Sequence, residues 1–165
     1  MKKRRLLLIA PISALFLAMF SASISPATAG IHIITYKMID HSKKTDVTDF
    51  SHRLGVCKAE SNGTKCNISK GKTSTRSIDT SFGLSKGWVA GKLNISSSSS
   101  VTVTVGCSTV TLKKGQKLEA FPVGSKHKYK IRKRSDNNKR ITYDTSGWRY
   151  TYNPYVTGIA CRISG

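Results

Sequence analysis

The sequence predicts an all-β protein, an antiparallel β-sandwich (or barrel) of roughly eight strands stapled by two disulfides. Three observations predict it. Short runs alternate between two kinds of side chain. Val101-Thr102-Val103-Thr104-Val105 puts three valines on one side and two threonines on the other, and Trp148-Arg149-Tyr150-Thr151-Tyr152 does the same with aromatics. Successive side chains of a strand point to opposite faces, so such runs fit half-buried strands. Turn residues recur between the runs: Asn62-Gly63, the serine tract 96–100, Lys113-Lys114-Gly115-Gln116, Asp136-Asn137-Asn138, Ser146-Gly147 and Asn153-Pro154. Beyond Gly55 no apolar repeat of helical period is sustained.

Taken in order, residues 1–29 read as a secretory signal peptide. Lys2-Lys3-Arg4-Arg5 makes a basic head, residues 6–25 are uncharged, and Ala27-Thr28-Ala29 places small residues two apart before Gly30. Pro11 interrupts the apolar run and Ser and Ala fill its second half, which favours cleavage near Ala29 over a retained anchor. The expected product is secreted and extracellular, with 136 residues, 24 basic and eight acidic side chains, and a net charge of +16. That length suits one domain. Residues 30–54 read as a weakly structured lead-in, with at most a short capped helix over 46–54, and residues 55–165 as the β domain.

All four cysteines, Cys57, Cys66, Cys107 and Cys161, follow the leader. An even count in an exported chain implies two disulfides, and no closely spaced Cys/His pair supports a zinc site instead. Of the three possible pairings, Cys57 with Cys66 and Cys107 with Cys161 are expected. Glu60-Ser61-Asn62-Gly63 suits a four-residue hairpin loop that sets the first two opposite each other. The second pair joins two apolar β-like runs and closes a long loop, which restricts the unfolded chain more. The serine tract reads as a hairpin tip inside one domain, because a linker there would leave two fragments too small to fold well alone.

Catalytic chemistry finds little support. The four histidines, His32, His41, His52 and His127, have no partner at helical ligand spacing, so no metal and no cofactor is expected. Nucleophile-elbow, zinc-protease and phosphate-loop motifs are absent. A small secreted ribonuclease would need an acid, a base and a phosphate clamp, for which Glu60, Glu119 and His127 with Arg132 are the candidates. Glu60 falls in the hairpin loop and Glu119 on an ordinary strand face, so both are expected to be solvated carboxylates. A non-catalytic protein is the better reading.

The strongest local signal is KHKYKIRKR at 126–134. Lys126, Lys128, Lys130, Arg132 and Arg134 occupy every second position, and eight of the fifteen residues 126–140 are Lys or Arg. On a strand these five cations form one row about 7 Å apart, with Tyr129 and Ile131 turned to the core. Asp136-Asn137-Asn138 then turns the chain into a hairpin that adds Lys139 and Arg140. A solvated face accounts for two or three such charges; five suit a linear polyanion, where each neutralised anion releases counterions. Trp148, Tyr150 and Tyr152 share a strand face and are expected in the core; if exposed, they are placed to stack on bases or sugar rings. The expected partners are anionic polymers or anionic membrane surfaces, such as a cell-wall polymer, a polysaccharide or lipid headgroups. No nucleic-acid recognition motif is present.

Residues 81–110 are built from Ser, Thr, Gly and small apolar residues on either side of the serine tract. In that they resemble the insertion hairpin of aerolysin-like β-pore-forming toxins. The resemblance implies strand arms at 82–95 and 101–105 and, as an alternative function, a membrane-active or antimicrobial protein. The leader together with the mature stretch CNISKGKTSTRS resembles small secreted proteins of Gram-positive bacteria, a resemblance that implies no activity.

Overall fold

Residues 117–136 form a single strand on which most of the molecule is assembled. The computed structural model describes residues 32–138 and 140–165; residues 1–31, with the expected signal peptide, and Lys139 lie outside the described residues. Among the described residues there are ten strands and one helix: β1 (Ile33–Thr48), β2 (Gly55–Lys58), β3 (Thr64–Ile68), β4 (Lys72–Thr75), β5 (Ser77–Ile78), α1 (Lys86–Leu93), β6 (Ser100–Val103), β7 (Cys107–Leu112), β8 (Lys117–Asp136), β9 (Ile141–Thr145) and β10 (Arg149–Ser164). All pairings are antiparallel. One six-stranded sheet runs β1-β8-β10-β5, with β2 and β9 also on β8, and β3–β7 and β4–β6 form two small sheets.

Both edges of β8 are paired along nearly their whole length. On one edge β1 runs from Ile33 opposite Asp136 to Thr48 opposite Val123, and β2 continues from Gly55 opposite Ala120 to Lys58 opposite Lys117. Backbone bonds from Asp49 N to Pro122 O (3.0 Å) and from Leu54 N to Ala120 O (2.8 Å) bridge the gap. On the other edge β9 turns back after Asp136, and β10 carries on from Arg149 opposite Tyr129 to Ser164 opposite Lys117. There the gap is closed by Ser146, whose N–H donates to Ile131 O (2.9 Å) while its hydroxyl accepts from Ile131 N (2.9 Å).

The expected weakly structured lead-in is therefore corrected: residues 33–48 are a sixteen-residue strand, and no helix forms over 46–54. Two one-residue bulges hide its alternation, one between Ile39 and Ser42 and one between Lys44 and Val47. Each contains an aspartate in the left-handed region, Asp40 (φ 53) and Asp46 (φ 54), a conformation that Asp tolerates better than bulkier residues.

β8 changes the face that it buries. Its register shifts all come from insertions in its partners, so its even and odd residues keep opposite faces throughout. At the start, Leu118 and Ala120 on the even face pack with Ala59, Cys66, Ile68, Cys107 and Leu112 beneath the β3–β7 sheet. Further along, Tyr129 and Ile131 on the odd face pack with Ile78 and with Val89, Ala90 and Leu93 of α1. Between them Gly124 lies so close to β10 that an added Cβ would sit 2.3 Å from Asn153 O. Beyond that point the even face is left open.

Both expected disulfides form. Cys57–Cys66 joins β2 to β3 and Cys107–Cys161 joins β7 to β10. The expected hairpin between Cys57 and Cys66 does not, because β2 pairs with β8 and β3 with β7. Each bridge instead ties a strand flanking β8 to the small sheet lying over it, which makes that end a stapled sandwich. The strand arm expected at 82–95 is also corrected. Residues 86–93 are helical, capped by the Ser85 hydroxyl accepting from Trp88 N (3.2 Å) and ended by Asn94 in the left-handed region (φ 54). The serine tract consequently leads from α1 into β6 and is not a hairpin tip. Among the described residues no helix is long and apolar enough to cross a membrane.

Candidate polyanion-binding face

The alternation at 126–134 places its cations on the open even face. Lys126 and Arg132 are exposed, Lys128, Lys130 and Arg134 half-buried, and His127, Tyr129 and Ile131 between them buried. The row spans about 26 Å at a strand rise of about 3.3 Å per residue. Cross-strand partners share a face, so β1 adds Lys37 opposite Arg132 and Lys44 opposite Lys126. Neither was singled out in the sequence, where the bulges disguise their register. Arg140 is exposed in the β8–β9 turn at the far end of the row.

Few acids interrupt this field. Lys130 pairs with Asp40 (3.1 Å) and Arg134 with Asp136 (2.6 Å). Among the described residues Lys37, Lys44, Lys126, Lys128 and Arg132 make no ion pair with a carboxylate. Five cations thus remain available to an outside anion.

A column of aromatics borders the row along β9, β10 and the turn that joins them. Tyr143 stands opposite Arg134 and Tyr150 opposite Lys128, with exposures of 60% and 40%, and Trp148 is 41% exposed. The ammonium groups of Lys128 and Lys130 lie over the Trp148 ring at 4.1 and 4.3 Å, and that of Lys126 lies 5.5 Å from the Tyr150 centroid. The expectation that these rings are core is correct for Tyr152 alone. Its hydroxyl donates to Pro122 O (3.0 Å), and burial raises its pKa. Tyr143 was missed, although Ile141-Thr142-Tyr143-Asp144 alternates in the hairpin the sequence predicts.

At the Lys126 end the face runs into a pocket of about 420 Å³ lined by Asp49, His52, Ser77, Lys126, Tyr150 and Tyr152, among others. The Nδ1 of His52 is held by Asp49 Oδ2 at 2.7 Å, and the Ser51 N–H and hydroxyl both donate to the same carboxylate. These bonds hold the Asp49 carboxyl below its ordinary range against the opposing effect of partial burial.

The ribonuclease candidates are not brought together. Glu119 is clamped by Arg162 (2.9 Å), Arg53 (2.8 Å) and Ser164 (2.9 Å), which hold its carboxyl down to about 2. It is therefore not the solvated carboxylate expected. Eight residues along the same strand, about 26 Å away, His127 is buried on the odd face, and Arg132 projects from the even one. The near-coplanar rings of His127 and His41 share a hydrogen bond of 3.0 Å between Nδ1 and Nε2, and desolvation lowers the His127 pKa. Glu60 is exposed in the turn after β2. Among the described residues no group of three His, Cys, Asp or Glu side chains is arranged to hold a metal ion. Compared with known proteins, the chain matches no family model, no curated protein and no solved structure.

Proposed function

We propose that this is an exported, non-catalytic protein that binds anionic polymers or surfaces through the open face of its long sheet. Export rests on the signal-peptide pattern of residues 1–29, and the two disulfides are consistent with an extracellular protein. The observation that carries the binding role is the row of cations, flanked by Lys37 and Lys44, with five of these side chains free of carboxylate partners among the described residues. A polymer following the row meets a cation about every 7 Å, and each neutralised anion adds counterion release.

The test is retention on immobilised heparin. Lys128→Gln with Arg132→Gln removes two unpaired cations from the row, whereas Lys113→Gln with Lys114→Gln removes two exposed ones from the β7–β8 turn. The row pair is expected to elute at clearly lower salt than the control pair. Equal shifts would mean that net charge alone governs retention, and the row would lose its role. Anionic vesicles are expected to be bound without dye release, since α1 is part of the core and Cys107 is bridged.

A further inference from the structure

We infer that the polymer suited to this face is single-stranded nucleic acid, with its backbone on the 126–134 row, bases stacked on Tyr143, Trp148 and Tyr150, and one base in the pocket beside Lys126. The inference rests on the polyanion reading and narrows it to one substrate class.

The row alone accepts any polyanion, so the discrimination lies in the aromatic column. Three large rings lie 40–60% open on the face that carries the cations. A ringless polymer such as polyphosphate would leave them unused. In a sulfated polysaccharide the sulfates are set around the edge of the same ring that would stack, so its charges and its stacking face are not set apart. In a nucleotide the phosphate and the flat base lie at opposite ends of the unit. The protein separates its groups in the same sense, with cations on β8 and rings on the neighbouring strands about 4.8 Å away. A basic track bordered by stacking rings is how sequence-tolerant single-strand binders are built. A duplex offers the same phosphates but hides the faces of its bases, so it gains only the electrostatic part.

The lysine positions fit this division. With no ligand, Lys128 and Lys130 rest over Trp148, and Lys126 approaches Tyr150. A phosphate that draws an ammonium group outward frees a ring face for the base attached to it. At the end of the track, the pocket of about 420 Å³ is of a size for one nucleoside, with Tyr150 and Tyr152 as aromatic walls. Asp49, His52 and Ser77 supply acceptors and donors along its lining, the mixture that reads the edge of an unstacked base. Because Asp49 occupies His52 Nδ1, Nε2 is the ring nitrogen left for a ligand.

The experiment is fluorescence anisotropy with a labelled oligothymidine of about 12 nucleotides and an abasic strand of equal length and charge, using the oxidised protein. The thymidine strand is expected to bind at least about tenfold tighter than the abasic one, given the usual strength of base stacking on aromatic side chains. Trp148→Leu with Tyr150→Leu should erase most of that advantage and leave abasic binding within about twofold. Both residues are partly exposed, and a cooperative thermal transition well above the assay temperature would show that the variant is folded. Equal affinity for the two strands would overturn the nucleic-acid assignment while leaving polyanion binding intact. Failure to bind either strand or heparin would overturn both readings, and heparin binding without oligonucleotide binding would assign the face to polysaccharide.

Discussion

Gly124 is the point where the two halves of the sheet meet, and replacing it with alanine should damage the fold out of proportion to the one methyl group added. A Cβ there would lie 2.3 Å from Asn153 O, 2.8 Å from Asn153 C and 2.7 Å from Pro154 Cα. All three are backbone atoms, so no side chain can swing aside and β10 itself must move by about 1 Å. Overpacking of this kind costs about 1–3 kcal/mol, and ladder hydrogen bonds lost near Ser125 and Asn153 add about 1 kcal/mol each. A total of about 3–5 kcal/mol is a large share of a stability of about 5–15 kcal/mol. For a domain of this size it corresponds to a fall in Tm of roughly 10–20 °C. Gly91→Ala is the matched control, because nothing lies within 4 Å of its added Cβ and the site is inside α1. Helix propensity predicts that it stabilises by about 0.5–1 kcal/mol. Thermal unfolding followed by circular dichroism reads both. A Gly124→Ala Tm within about 2 °C of the parent would refute the account of the strand crossing.

Three further outcomes follow from the same geometry. The Glu119 carboxyl is held at about 2 against an ordinary value of 4.5, so its stabilisation is fully present above the ordinary value and is lost as pH falls toward 2. Glu119→Gln should therefore lower Tm at pH 7 and narrow the gap in Tm between pH 7 and pH 2; an unchanged gap would contradict the clamp. Replacing Cys107 and Cys161 by alanine opens a span of 54 residues and should cost about 4 kcal/mol, against about 3 kcal/mol for Cys57 and Cys66 with a span of nine. Urea midpoints in the reverse order would show that native packing, not chain entropy, sets the difference. Asp40→Asn keeps a residue suited to φ 53 and releases Lys130, so heparin elution should move to higher salt with Tm nearly unchanged. Elution at the parent's salt concentration would show that Asp40 does not restrain the row.

The sequence discloses most where one residue type repeats at the strand period. The 126–134 run was legible for that reason, and the β8–β9 turn was legible from Asp136-Asn137-Asn138; both disulfide pairings were right, although the hairpin expected to bring Cys57 and Cys66 together does not form. β1 was not, because the bulges at Asp40 and Asp46 each shift its alternation by one residue, and an edge strand with an open face needs few apolar side chains. α1 was masked by Gly87 and Gly91, which lower helix propensity within only eight residues. Its Ser85 and Asn94 caps were visible signals, but the packing of Val89, Ala90 and Leu93 on Tyr129 and Ile131 is what supports it. The clamp on Glu119 joins residues 53, 119, 162 and 164, and no local pattern links those positions.

The open face also shows why a row of like charges is tolerated before any ligand arrives. Neighbouring cations about 7 Å apart repel by about 0.6 kcal/mol in water, and salt with a screening length of about 8 Å more than halves this. Four neighbouring pairs then cost about 1 kcal/mol in total. Three exposed cation–π contacts, on Trp148 and Tyr150, return about 0.5–1 kcal/mol each. The exposed ion pairs with Asp40 and Asp136 add little. On these figures the ring contacts at least offset the repulsion, and Tyr129 and Ile131 on the reverse of the row anchor the strand in the core. Its aromatic neighbours offset the repulsion in the free protein, and in the proposed complex they would serve as the stacking surface. Loss of Trp148 should accordingly lower both stability and oligonucleotide affinity, whereas loss of Tyr143, whose ring carries no cation–π contact among the described residues, should lower affinity alone.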